Sequence, residues 1–155
     1  MKKIILLLIF TVSLVSALNA QVDNKAIGIR FGGFTGYGAE LSYQQPLGNV
    51  NRLELDLGWN YYGFGLSGVY QWVWNISESS PGFKWYAGVG AGLGSYHYSS
   101  PLINSLGIGI LGQIGIEYNF NIPLQLSLDY RPGIYIIPAF WGSYDGICLS
   151  ARYRF

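Results

Sequence analysis

The sequence predicts an all-β fold, an eight-stranded antiparallel up-and-down barrel that crosses a membrane with its strands. Three observations predict it. Apolar and polar side chains alternate with a period of two through eight consecutive segments, the pattern of strands with two unlike faces. Half of the residues are hydrophobic and only 11% are charged, yet beyond residue 20 Gly, Pro or charge interrupts every apolar run, so the chain meets lipid with strands rather than helices. Aromatic residues make up 17% of the chain and gather near the segment ends, where a barrel meets the two membrane interfaces.

The chain opens with Lys2 and Lys3, an apolar stretch from Ile4 to Val15, and a small residue, Ala20, before Gln21. That is the layout of a cleavable signal peptide over 1–20, and the stretch is shorter than the ~20 residues of a spanning helix. The barrel domain is then expected over 21–155. Without Lys2 and Lys3, seven basic residues face eight acidic ones. This balance suggests no nucleic-acid partner. Cys148 is the single cysteine, which excludes a disulfide framework and a Cys-based metal site.

The first segment, Ala26 to Gly33, sends Ile27, Ile29 and Phe31 one way and Gly28, Arg30 and Gly32 the other. Phe34-Thr35-Gly36 reverses it. The second, Tyr37 to Gln45, points Tyr37, Ala39, Leu41 and Tyr43 outward, with Pro46-Leu47-Gly48-Asn49 as the turn. The third, Arg52 to Tyr61, alternates most cleanly, with Leu53, Leu55, Leu57, Trp59 and Tyr61 against Glu54, Asp56, Gly58 and Asn60. The fourth, Phe64 to Trp74, ends with Trp72 and Trp74 outward. The fifth, Phe83 to Ser95, has an inner face of Lys84 and Tyr86 followed by glycines 88, 90, 92 and 94. The sixth, Leu106 to Phe120, sets Ile108, Ile110, Ile114, Ile116 and Tyr118 against Gly109, Gln113, Gly115, Glu117 and Asn119. The seventh, Leu124 to Ile136, contains Pro132, which removes a ladder bond and with Gly133 predicts a bulge. The eighth runs from Ile147 to Phe155. Two outer loops are expected at Tyr96 to Ser105 and Ile137 to Asp145.

Parity places Arg30, Lys84, Arg131, Arg152 and Arg154 inside, against Glu40, Glu54, Asp56, Glu117 and Asp129. Buried charge is costly unless paired, so these ten residues are expected to form a neutralising ion-pair network. Hairpin geometry suggests Arg30 beside Glu40 and Asp129 beside Arg152. An eight-stranded barrel has little spare lumen, so a general solute pore is not expected; the outer half holds either crossing side chains or a small water-filled cup. A soluble barrel that binds ligands inside would share the strand count but carry its polar face outward. Gly107-Ile108-Gly109-Ile110-Leu111-Gly112 matches the dinucleotide spacing, with Asp129 downstream. Its glycines alternate with Ile as in a strand, and no helix follows to receive a pyrophosphate. No cofactor is expected.

The alternation with terminal Phe155 and Tyr153 resembles the C-terminal assembly signal of bacterial outer-membrane proteins. The chain from Gln21 onward resembles the small eight-stranded outer-membrane barrels, the group containing OmpX and the transmembrane domain of OmpA. The resemblance implies insertion by the barrel assembly machinery, contact with outer-membrane lipid and lipopolysaccharide, a filled core, and no metal or cofactor. The outer-loop tips, with Tyr98, Pro101, Phe140, Trp141 and Tyr144, suit contacts with an envelope partner, and the expected role is non-enzymatic, structural or surface-binding. His97 and Ser99, in Tyr96-His97-Tyr98-Ser99-Ser100, are similar to the catalytic pair of PagL-type lipid A deacylases. That resemblance makes His97 a base and Ser99 a nucleophile, although Ser100 stands where that family has Asn. A narrow channel is the remaining alternative.

Overall fold

The computed structural model describes residues 24–32, 38–60, 63–76, 82–97, 104–137, 141–143 and 146–155. The predicted signal peptide over 1–20, the loop residues Tyr98, Ser99, Pro101, Phe140 and Tyr144, and the side chains of His97 and Trp141 lie outside this description.

Ten strands follow in order: β1 (Ala26–Gly32), β2 (Ala39–Pro46), β3 (Asn51–Asn60), β4 (Gly63–Asn75), β5 (Phe83–His97), β6 (Asn104–Asn119), β7 (Leu124–Tyr130), β8 (Gly133–Ile137), β9 (Trp141–Ser143) and β10 (Ile147–Arg154). Each pairs antiparallel with its sequence neighbour except where β7 runs on into β8 and β9 into β10. β10 pairs with both β7 and β1. The result is a closed antiparallel barrel of eight staves, the seventh formed by β7 and β8 and the eighth by β9 and β10. The start of the described chain and its C-terminal residue meet at one mouth, the terminal mouth, where Lys25 and Phe155 exchange backbone hydrogen bonds of 3.1 and 2.9 Å.

The alternation read from the sequence is the alternation of inside and outside. Along β10, Ile147, Leu149 and Tyr153 are 65, 56 and 57% exposed, whereas Cys148, Ser150 and Arg152 are at most 1% exposed. The same inversion holds on β1 and β3, where Ile27, Ile29, Leu55 and Leu57 face out and Arg30, Glu54 and Asp56 are buried.

Pro132 falls between β7 and β8, and the wall is irregular there, though on the neighbouring stave. Against β6 the register is unbroken, from Ile114↔Tyr130 to Leu111↔Gly133. Pro132 keeps its carbonyl bond from Gly112 N at 2.9 Å and lacks only the N–H that would return it. On the other side Tyr130 faces Ile147 while Gly133 faces Ser143, so the register against the eighth stave shifts by one residue, a bulge beside Arg131 and Pro132. Arg131 N bonds across this bulge to Gly146 O at 2.8 Å. A second irregularity lies between Ile108 and Gly109.

The two expected outer loops are shorter than their sequence limits. β5 and β6 stay paired up to His97↔Asn104, and Trp141–Ser143 of the second loop is strand, paired with β8. Glycine, which terminates strands in many contexts, is tolerated in these hairpins because each strand is held by its partners on both sides.

Glycines 88, 92, 109 and 115 make room inside. A side chain on Gly115 would meet the Tyr86 ring at 2.6 Å, one on Gly109 the Tyr135 ring at 2.7 Å, and one on Gly92 Leu111 at 3.2 Å. Tyr86 is fully buried, and Val69, Leu111 and Tyr135 form an apolar cluster inside the barrel. Large apolar and aromatic side chains therefore occupy the glycine-lined side of the lumen, where crossing charged side chains or a water-filled cup were expected.

Candidate functional site

Among the described residues, charge is concentrated in the lumen. Arg30 on β1 is fully buried and donates to Glu40 Oε2 on β2 at 2.8 Å, and it forms a second ion pair with Asp129 on β7. The first contact follows from register, because Arg30 and Glu40 are direct partners. Arg131 donates to both Glu40 oxygens at 2.9 and 2.6 Å, to Asp56 Oδ2 at 2.5 Å and to Ser67 Oγ at 3.1 Å. Glu40 thus accepts from two guanidinium groups. Tyr86 donates its hydroxyl to Asp129 Oδ2 at 3.1 Å.

Nearer the chain ends, Arg152 donates to Glu54 Oε2 at 3.0 Å, Ser127 Oγ at 2.8 Å and Ser42 Oγ at 3.0 Å. Glu54 also accepts from Gln44 at 2.6 Å and Gln113 at 3.1 Å. Arg52 pairs with Glu117 at 2.6 Å, donates to Gln71 Oε1 at 2.5 Å, and lies over the Tyr86 ring at 4.9 Å. Each carboxylate is met by a guanidinium, as charge held out of water requires.

Two expectations are corrected. Asp129 does not sit beside Arg152: in register it faces Cys148, while Arg152 faces Gln125. Four residues of strand, at ~3.3 Å each, separate the two levels. Asp129 pairs instead with Arg30, and Arg152 with Glu54. Arg154 does not join the network. Its guanidinium bonds the Phe120 carbonyl, and the Ile122 carbonyl at 3.0 Å, fastening the end of β10 to the turn before β7. It lies too near the mouth to reach the buried carboxylates. Lys84 is half-buried and faces Glu117 in register.

Arg52 belongs to the network and is absent from the expected set. Parity alone finds it, since it shares the inward face of β3 with Glu54 and Asp56. The neutral members, Gln44, Gln71, Gln113, Ser42, Ser127 and Tyr86, carry no sequence signal beyond their parity. His97 lies on β5 opposite Asn104; Ser99 lies outside the described residues.

Aromatic side chains form a belt at the mouth that holds the chain ends. Trp74 stacks on Trp85 at 4.3 Å, Phe83 packs on Tyr118 at 5.8 Å, and Tyr153 stacks on Phe155 at 6.4 Å. Trp74 is outward by parity, and it is nevertheless buried, 8% exposed, beside Trp85.

No protein-family model matches the sequence. No curated protein matches it. Among solved structures, the chain is similar to surface protein A of Neisseria (NspA), at 17% identity and a TM-score of 0.53, over 85% of this chain and 94% of that one. It also aligns with the outer membrane protein Ail of Yersinia pestis, determined in a phospholipid bilayer nanodisc, at 16% identity and a TM-score of 0.48, over 85% of this chain and 97% of that one. With its closed wall of eight antiparallel staves, the chain has the fold of the small eight-stranded outer-membrane barrels.

Proposed function

We propose that this protein is an integral outer-membrane barrel with a filled polar core, serving the cell envelope as a structural or surface-binding component without catalysis. The observation that carries the reading is the inversion of the wall, apolar outside and charged inside, which suits hydrocarbon and would expose a large apolar surface to water. Signal-directed export, insertion by the barrel assembly machinery, and a wall surrounded by lipid and lipopolysaccharide belong to the same reading. In it, the mouth bearing the chain ends faces the periplasm and the opposite mouth faces outward. The interior ion pairs and the Tyr86, Leu111 and Tyr135 side chains lie within the lumen, which supports a closed scaffold over a channel. Electrophoresis of detergent-refolded protein, with and without boiling, tests the reading alongside far-UV circular dichroism. Faster migration before boiling, with a strand spectrum lost only on boiling, is expected. Reversible folding in plain buffer without a mobility shift refutes it.

A further inference from the structure

Over the described residues, the paired wall of the barrel is far shorter on one side than on the other. β1 and β2 have 7 and 8 residues, whereas β5 and β6 have 15 and 16. At ~3.3 Å per residue and a strand tilt of ~40°, the short side stands about 19 Å high and the tall side about 39 Å. The difference arises at the mouth away from the chain ends. At the terminal mouth, pairing reaches the strand ends on every side, as in Ala26↔Arg154, Pro46↔Arg52, Asn75↔Lys84 and Asn119↔Gln125. At the opposite mouth, β1 stops at Gly32↔Cys148, while β5 and β6 continue to His97↔Asn104.

Five residues connect Gly32 to Gly38, whose backbones are already bonded at 3.1 Å. Both glycines have positive φ, 96° and 66°, a conformation that suits glycine and marks the reversal of the chain. The outward apolar run follows the same slant. Among the described residues it covers Ile27 to Phe31 on β1, about 10 Å of height, and Phe83 to Leu93 on β5, about 25 Å, and of these two runs only the second matches the ~25 Å apolar band of a membrane barrel.

We propose that this barrel thins the outer leaflet along its β1–β2 face: the partner of that face is the bilayer itself, compressed where the wall is low. The inference rests on the membrane reading above. A rigid tilt of the whole barrel is the competing response to such a mismatch. The aromatic belt opposes it. Tyr43 and Tyr153 on the short side, and Trp72, Trp85, Phe83 and Tyr118 on the tall side, lie near the terminal mouth, and such residues hold a rim at one interface. With that rim level, the shortfall falls on the lipid at the other mouth.

The test uses the full barrel in bilayers of 16-carbon-chain phosphatidylcholine, with nitroxides at single cysteines on a Cys148→Ser background. Depth is read from the ratio of oxygen to nickel-chelate accessibility. Phe31→Cys reports the top of the short wall, with Ala39→Cys, its register partner, as a second site there. Val89→Cys reports a similar height on the tall wall, Leu93→Cys the top of its apolar run, and Tyr118→Cys its terminal end. Each variant is accepted only if it keeps the mobility shift on boiling. Labels at 31 and 39 are expected to match Leu93→Cys in nickel accessibility and to exceed Val89→Cys, with Tyr118→Cys at the interface. Labels at 31 and 39 as shielded as Val89→Cys overturn the thinning. A Tyr118→Cys label out in water indicates tilt and overturns it as well. Nickel accessibility at every site, Val89→Cys included, overturns the membrane reading itself, a result distinct from the other two.

Discussion

Removing Arg30 isolates the energetics of the lumen. Arg30 is fully buried and bridges Glu40 and Asp129. After Arg30→Met, Glu40 retains two hydrogen bonds from Arg131, whereas Asp129 retains, among the described side chains, the Tyr86 hydroxyl alone. The loss therefore concentrates on one buried carboxylate without a cation. Breaking a buried pair from one side costs about 3–5 kcal/mol, about two to three and a half powers of ten in the unfolding equilibrium at about 1.4 kcal/mol each. Adding Asp129→Asn removes the orphaned charge and leaves an acceptor for Tyr86. The double variant is expected to recover about half or more of the loss, since a buried pair removed as a unit is often close to neutral. Urea unfolding in lipid vesicles, followed by tryptophan fluorescence and closed as a double-mutant cycle, measures the coupling. A single variant within about 0.5 kcal/mol of the parent, or additive losses in the double, refutes the assignment of this pair as a mutually dependent unit.

Three further perturbations probe other levels of the structure. Val89→Arg, in the middle of the apolar run of the tall wall and 55% exposed on its outer face, is expected to destabilise the barrel by about 2–4 kcal/mol in vesicles, against about 0–1 for Leu47→Arg at a turn; equal effects would contradict a lipid-facing wall. Gly90→Ala places a methyl 2.1 Å from the Gly68 carbonyl oxygen, a backbone atom that cannot rotate away, so refolding yield on unboiled gels should fall sharply. Gly48→Ala, with nothing within 4 Å, should leave that yield unchanged. Tyr86→Phe keeps the ring beneath Arg52 and deletes the donor to Asp129, with an expected loss of about 1–3 kcal/mol in the same urea assay; no loss would show that this hydroxyl contributes nothing to the network.

The sequence by itself determined which residues face in and which face out. Side chains of a strand alternate with period two whatever the strand pairs with, so Leu149 and Arg152, or Leu55 and Glu54, are assigned to opposite faces before any partner is known. It also determined the Arg30–Glu40 contact, because a short hairpin links the two strands and sets their register locally. Arg52 was equally legible by parity. Tertiary structure decided the rest. Asp129 lies 99 residues from Arg30 in the chain, and its choice of Arg30 over Arg152 depends on the stagger of β7 against β10 and on the distance across a closed lumen. The one-residue register shift beside Pro132, the filling of the glycine-lined side by Tyr86 and Tyr135, and the slant of the outer rim have the same origin. Local alternation specifies a face, whereas register and closure arise only when all eight staves are summed around the barrel.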